Sequence, residues 1–259
     1  MTKFENAKKQ VEKRSIDKLN LTLDKIVDIN NFVDSEGNNL LHWAVINGNY
    51  LACKQLIKMG IDINAKNTES VSPLEFAIQF NEKRIIKFLL NNNAELFNRN
   101  GFTILHASAA QGNIDLLKIF INKYSSIDMK DNSGNTPLLW ASQEGKIRCI
   151  EFLLLIDADV NSIDNHGFSP IYYAICQGNY YLFYLLISYG ANTSTICDSE
   201  SLLHVATAWN RAPIVYYLVK RGIDINLKNK EGLKAIDYAK MYNYKNLEYF
   251  LQNKGIVSV

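Results

Sequence analysis

The 259-residue chain lacks any unbroken apolar run of the roughly 18 to 20 residues that a membrane helix needs, so no membrane insertion is expected. It lacks a dominant charge as well. Its 28 basic and 26 acidic side chains leave a formal +2, too little to imply nucleic acid as a partner. The basic run from Lys8 to Lys18 is interrupted by Glu12 and Asp17 and reads as a solvated helix face. Cysteine is scarce, and Cys53, Cys149, Cys176 and Cys197 form no C-x-x-C pair, which argues against a disulfide framework and for reduced thiols. The first residues, MTKFENAKKQVEKR, hold no apolar stretch that would serve as a secretory signal. A cytoplasmic location is expected, with nuclear entry or specialised export left open.

What the chain has is a period. The string NLLHWA from Asn39 returns as SPLEFA from Ser72, TILHAS from Thr103, TPLLWA from Thr136, SPIYYA from Ser169, SLLHVA from Ser201 and KAIDYA from Lys234. The intervals are 33, 31, 33, 33, 32 and 33 residues, and a fixed spacing of this size means stacked units in place of a single globular core. With 47% hydrophobic and 21% charged residues, the composition is that of a foldable chain.

Counting the first residue of each string as position zero, position nine is Gly48, Asn81, Gly112, Gly145, Gly178, Asn210 and Asn243. Gly and Asn best tolerate a left-handed backbone, so a short helix is predicted to end there in every unit. A second helix follows, its core marked at positions seventeen and eighteen by pairs such as Leu56-Ile57 and Leu153-Leu154. Extended segments come next (IDIN from Ile61, ADVN from Ala158), then turn chemistry such as DNSG from Asp131. Pro73, Pro137 and Pro170 fall at position one, where a first-turn proline loses no hydrogen bond, and Pro213 is placed to open a second helix.

These motifs resemble the ankyrin-repeat family, whose signature is a T-P-L-H-x-A helix start, a Gly after the first helix and a G-A-D-V-N close. TPLLWASQEG from Thr136 with ADVN from Ala158 is the cleanest copy, and the resemblance covers roughly residues 34 to 255. It implies an all-α solenoid of stacked helix-turn-helix units with extended finger turns. Repeats are expected to start near residues 34, 67, 98, 131, 164, 196 and 229 of a single structural domain. Residues 1–33 would be degenerate N-terminal capping helices, with Val11, Ile16, Leu19, Leu23 and Ile26 as their apolar side, and 34–259 the solenoid, its last repeat a C-terminal cap. Repeat two departs most, with Ser70 for the turn Gly and Glu75 for the His. The repeat at Ser201 has lost one residue in its turn, which predicts a differently shaped finger.

Catalytic chemistry finds little material. H-E-x-x-H, G-x-S-x-G, a Walker-type loop and zinc-spaced clusters are all missing, so no enzyme activity, metal or cofactor is expected. Of four histidines, His42, His106 and His204 share position three, where the resemblance implies a structural hydrogen bond, and His166 reads as an exposed turn residue. Cys53 and Cys149 read as small core residues, while Cys176, near the inner face, and Cys197, in a turn, are the two placed where a thiol would be reachable.

Positions two, five and six of each string cluster on one helix side and must be buried; position four points the other way. In the ankyrin family that side lines the concave surface presented to partners. Position four reads Trp43, Phe76, Ala107, Trp140, Tyr173, Val205 and Tyr238, and Phe102 and Phe168 would extend this aromatic column from the fingers. Trp and Tyr are frequent binding anchors, yet this position also packs in part against the neighbouring repeat, so the two readings compete. The predicted role is a non-catalytic protein-interaction module or scaffold, monomeric, holding an extended peptide or a helix through its concave groove and finger turns. Three narrower roles stand beside it. One is a proteasome-assembly chaperone similar to gankyrin, and another a substrate-recruiting adaptor for a separate enzyme, similar to the ankyrin segment of ankyrin-bearing palmitoyltransferases. The third is a host-directed effector of a parasite, intracellular bacterium or virus, suggested by the abundance of Asn, Lys, Ile and Tyr.

Overall fold

The strings at Asn39, Ser72, Thr103 and Thr136 open helices that their first residue caps, while Ser169 makes no side-chain cap bond and its helix opens on Pro170 alone. In a computed structural model describing residues 2–23 and 28–256, Asn39 Oδ1 accepts from the backbone N–H of His42 at 3.0 Å, Ser72 Oγ from Glu75 at 3.3 Å and Thr136 Oγ1 from Leu139 at 3.2 Å. Pro73, Pro137 and Pro170 are the first residues of their helices. All seven position-nine residues take a positive φ, from 54° at Asn210 to 77° at Gly112. The first helix therefore stops at the same point in every unit.

The chain forms two compact units, Met1–Phe97 and Asn98–Val259. The first holds α1 (Lys3–Glu12), α2 (Ile16–Leu23), α3 (Leu40–Ile46), α4 (Tyr50–Lys58), α5 (Pro73–Gln79) and α6 (Lys83–Asn91). Here α3 packs between α1 and α5, and α4 between α2 and α6. The pair α1–α2 thus stacks like a repeat, with Val11 and Leu19 fully buried. Ile26 lies outside the described residues, as do the side chains of Ile16 and Leu23.

The second unit begins with β1 (Asn98–Arg99) and β2 (Phe102–Thr103), then α7 (Ile104–Gln111), α8 (Ile114–Phe120), α9 (Pro137–Gln143), α10 (Ile147–Leu155), α11 (Pro170–Gln177) and α12 (Tyr180–Ser188). After β3 (Ile196–Cys197) and β4 (Glu200–Ser201) it closes with α13 (Leu202–Ala208), α14 (Ala212–Lys220), α15 (Ala235–Met241) and α16 (Lys245–Ile256). Its first helices stack in order, α7 on α9, α9 on α11, α11 on α13 and α13 on α15.

Small residues at position five let neighbouring helices approach: Ala44, Ala77, Ala141, Ala174, Ala206 and Ala239 are all 0% exposed. Position seventeen supplies bulk, from Leu56 to Leu218, each large side chain worth roughly 2–3 kcal/mol when fully buried. The last repeat keeps both positions, with Ala239 and Leu251 buried, but carries exposed Lys240 and Gln252 one residue after each.

Fingers come in two forms. In the wide form an Asp or Asn at position minus five accepts two backbone N–H groups, as Asp131 Oδ1 does from Ser133 and Asn135, both at 2.9 Å. Asp34, Asn67, Asp164 and Asn229 repeat this arrangement. In the tight form a two-residue turn joins antiparallel strands: Asn100-Gly101 (φ 54° and 79°) between β1 and β2, and Asp198-Ser199 (φ 45° and 69°) between β3 and β4. The tight fingers lead to Thr103 and Ser201, the two strings with shortened intervals. The altered finger at Ser201 is as expected; the one at Thr103, with the larger shortening, was overlooked.

Candidate protein-binding face

The residue at position four is tied to the finger that precedes it by nine residues. Trp43 Nε1 donates to Asp34 Oδ2 at 2.8 Å, Trp140 Nε1 to Asp131 Oδ2 at 2.9 Å, and the Tyr173 hydroxyl to Asp164 Oδ2 at 3.3 Å. One carboxylate oxygen shapes the finger and the other fixes the ring. Burial works to raise the Asp34 carboxyl, but hydrogen bonds from the Asn38 backbone, Trp43, the Asn38 side chain and the Glu36 backbone outweigh it and hold the group below 3.8. In the last repeat the carboxylate is replaced by Asn229, whose amide donates to the Tyr238 hydroxyl at 3.2 Å, and that hydroxyl donates to Glu200. Burial, then the Glu200 hydrogen bond and charge, push the Tyr238 hydroxyl up to about 12.

All seven proposed partner-binding residues, Trp43, Phe76, Phe102, Trp140, Phe168, Tyr173 and Tyr238, are partly exposed. Their rings are held between neighbours. Phe102 meets Trp140 edge-on at 5.4 Å, while Phe168 stacks on Tyr172 at 4.3 Å and touches Tyr173 at 6.3 Å. Phe76 packs on His42 at 5.9 Å and Tyr238 on His204 at 6.1 Å. Lys8 Nζ sits 3.5 Å from the centre of the Trp43 ring. The structure therefore joins Phe102 with Trp140 and Phe168 with Tyr173, and gives Trp43, Phe76 and Tyr238 separate surroundings.

Position eight was missed. One helical turn beyond position four, Phe80, Trp209 and Tyr242 are 46%, 53% and 49% exposed, more open than any position-four ring. Phe80 stacks on Phe76 at 6.1 Å and Tyr242 on Tyr238 at 6.3 Å, so an i, i+4 search from position four would have found two of them. The second helices also carry exposed tyrosines, Tyr180, Tyr181 and Tyr184 in α12, Tyr216 in α14 and Tyr249 in α16. Tyr216, Tyr249, Phe250 and Lys254 line a hollow of about 530 Å³.

His42, His106 and His204 are buried and donate from Nε2 to carbonyls of the following repeat, at Val71 (3.1 Å), Asn135 (3.1 Å) and Leu233 (3.0 Å), with the Met129 carbonyl also 2.9 Å from His106. Since a carbonyl only accepts, Nε2 carries the proton, which leaves Nδ1 of His106 and His204 to accept from the backbone of Thr103 and Ser201. Burial lowers the affinity of His42 and His106 for a second proton. His166 is exposed in its finger and stacks on Phe168 at 5.8 Å.

Cys53 and Cys149 are fully buried, and burial pushes their thiols up to about 12 and 11. Cys197 corrects an expectation: the tight hairpin turns its side chain inward, 1% exposed, and burial pushes the thiol up to about 11. Cys176 is half-buried, its thiol likewise raised by burial. Among the described residues no three His, Cys, Asp or Glu side chains gather where they could hold a metal ion, and no helix is long and apolar enough to cross a membrane.

Comparison with known proteins agrees with this architecture. A family model for ankyrin repeats matches in overlapping stretches from residues 10–100 to 171–258. The chain is 32% identical over 125 residues to palmitoyltransferase AKR1 of Lachancea kluyveri, covering 45% of this chain and 17% of that protein. It is 30% identical over 221 residues to the ZDHHC13 protein of Danio rerio, covering 84% of this chain and 30% of the relative. With a Caenorhabditis elegans homolog of transient receptor potential cation channel subfamily A member 1 it shares 31% identity over 104 residues, 40% of this chain and 9% of that protein. The chain spans less than a third of the length of each of these relatives. With the family model matched along nearly its whole length, the chain belongs to the ankyrin-repeat family.

Proposed function

We propose that this chain is a non-catalytic protein-interaction module that holds a protein partner, as an extended peptide or a helix with apolar anchors, against the aromatic face of its first helices. The observation that carries this reading is the division of labour in each ring. Trp43, Trp140 and Tyr173 spend their polar ends on a finger carboxylate while part of each ring stays accessible. A pre-positioned aromatic loses little side-chain freedom when a partner covers it. Trp209 and Tyr242 add open apolar area at position eight.

Because Trp43 and Trp140 anchor fingers, replacing them confuses binding with folding. The cleaner test is Trp209→Ser with Tyr242→Ser, two exposed rings, in a capture of partners from the native cell. A partner recovered by the wild type should fall at least about tenfold with the double variant. Equal recovery would overturn the proposed face.

Likeness to proteins named palmitoyltransferases favours a second, narrower reading, recruitment of substrates for an acyl-transferring enzyme. Captured partners would then carry thioester-linked acyl groups, released by neutral hydroxylamine. A partner set without such groups would remove this reading and leave the first intact.

A further inference from the structure

In the first unit, α1 lies beside the first finger and the two enclose a hollow of about 640 Å³. Three rings line it, Phe4, Phe32 and Trp43, together with three carboxylates, Glu5, Asp34 and Glu36. One cation is present. Lys8 reaches in from α1 and places its ammonium 3.5 Å from the centre of the Trp43 ring. Among the described residues Glu5 and Glu36 have no cationic partner, and Lys8 makes no ion pair of its own. The lining is thus acidic, three carboxylates against one ammonium, in a chain whose formal charge is +2.

The Trp43 indole N–H donates to the Asp34 carboxylate at 2.8 Å, which leaves the ring richer in negative charge on its faces. A ring so polarised, at the mouth of an acidic hollow, favours a cation over a neutral group. Lys8 shows that the geometry admits one.

We propose that this hollow receives a cationic side chain, a lysine or arginine of a basic peptide segment of the protein partner, and that Lys8 occupies the place from within until the partner displaces it. This rests on the protein-binding reading above and adds the chemistry of one anchor. It predicts that removing the resident ammonium helps a basic ligand twice, by vacating the ring and by leaving the three carboxylates unopposed.

The test uses the full chain and a synthetic octapeptide of alternating glycine and lysine, with alternating glycine and glutamate as control. Lys8→Met keeps the stem and removes the charge, and should bind the lysine peptide about tenfold more tightly than the wild type, weakening as salt is raised. Adding Glu5→Gln and Glu36→Gln to Lys8→Met should cancel that gain. Trp43→Phe, which keeps a ring but not the indole N–H to Asp34, should retain only part of it, and Trp43→Leu should lose it with the circular dichroism of the fold intact. No gain from Lys8→Met, or equal binding of the glutamate peptide, overturns the inference. If that happens while a native partner is still lost from the Trp209→Ser, Tyr242→Ser variant, only this anchor falls. If neither effect is seen, the reading beneath it falls too.

Discussion

The fingers before Thr103 and Thr136 are neighbours in the second unit, and they stabilise a chain reversal by opposite means. Before Thr103 the turn is a two-residue hairpin whose strands supply the hydrogen bonds, and position four is Ala107. Before Thr136 the turn is wide, its backbone is gathered by Asp131, and position four is Trp140. The same contrast separates Val205, after the hairpin at Asp198-Ser199, from Tyr173, after the wide finger at Asp164. Trp43, Trp140 and Tyr173 each go with a finger whose carboxylate has a spare acceptor to hold the ring's polar edge, while Tyr238 is met by a donor, the Asn229 amide. Where the hairpin leaves no such acceptor, position four is small or aliphatic. The aromatic column is thus part of the finger's construction as well as a surface.

The largest way to break this contrast is at a hairpin turn. Gly101 has φ 79°, and a Cβ there would lie 2.8 Å from both Asp131 Cα and Lys130 O. Gly101→Ala should cost about 3 kcal/mol in denaturant unfolding. Gly145→Asn should stay within about 0.5 kcal/mol of wild type, because Asn81 and Asn210 already occupy the equivalent cap at φ 55° and 54°.

A finer comparison sets two wide fingers against each other. Asp131→Asn would turn an amide N–H₂ toward the Trp140 indole N–H, donor against donor, and should cost about 1–2 kcal/mol. Asp164→Asn should be nearly neutral, within about 0.5 kcal/mol, because two acceptors await the new amide. One is the Tyr173 hydroxyl, used as Asn229 uses Tyr238; the other is Asn135 Oδ1, buried without a hydrogen-bond partner. Asn67, at the equivalent place, donates to Asn38 Oδ1 at 2.9 Å. A similar loss from both variants would refute the idea that the spare oxygen exists to hold the ring.

The smallest effect concerns pH. His106, behind the tight finger, is lowered by burial from its ordinary 6.5, so between its folded and unfolded values the unfolded chain binds more protons. Stability should therefore decline as pH falls below 6.5 and be complete above it. His106→Gln, which keeps a donor toward the Met129 carbonyl, should flatten part of that decline in thermal melts from pH 7.5 to 5. An unchanged slope would show that the imidazole is not the group responsible.

The features legible in the sequence were those set within one helical turn. Every Gly or Asn at position nine proved left-handed, and every proline at position one opened a helix. Both depend on a residue's own backbone. What stayed hidden depends on where the chain returns: the bond from Trp140 to Asp131 spans nine residues and a reversal, and the burial of Cys197 follows from a hairpin that the 32-residue interval only hinted at. The pairing of Asp with Trp or Tyr nine residues on was nonetheless printed in three fingers, at Asp34, Asp131 and Asp164. Helix periodicity marks the buried side and does not tell which outward position stays uncovered, so the exposed rings at Phe80, Trp209 and Tyr242 were not legible from it.

Several of the bonds that join neighbouring repeats reach about one period and attach to backbone carbonyls: Lys130 to Ile163, Asn165 to Asn132, Arg211 to Ile175. A carbonyl is the same group whatever side chain its residue bears. Excising a whole period, residues 131–163 for instance, would bring Asp164 behind Lys130 where Asp131 had been, with an acceptor of the same kind at each junction. Such joints let a gene lengthen or shorten its product by whole modules and keep reading frame and register together, a grammar in which the words change and the syntax is carried by the main chain.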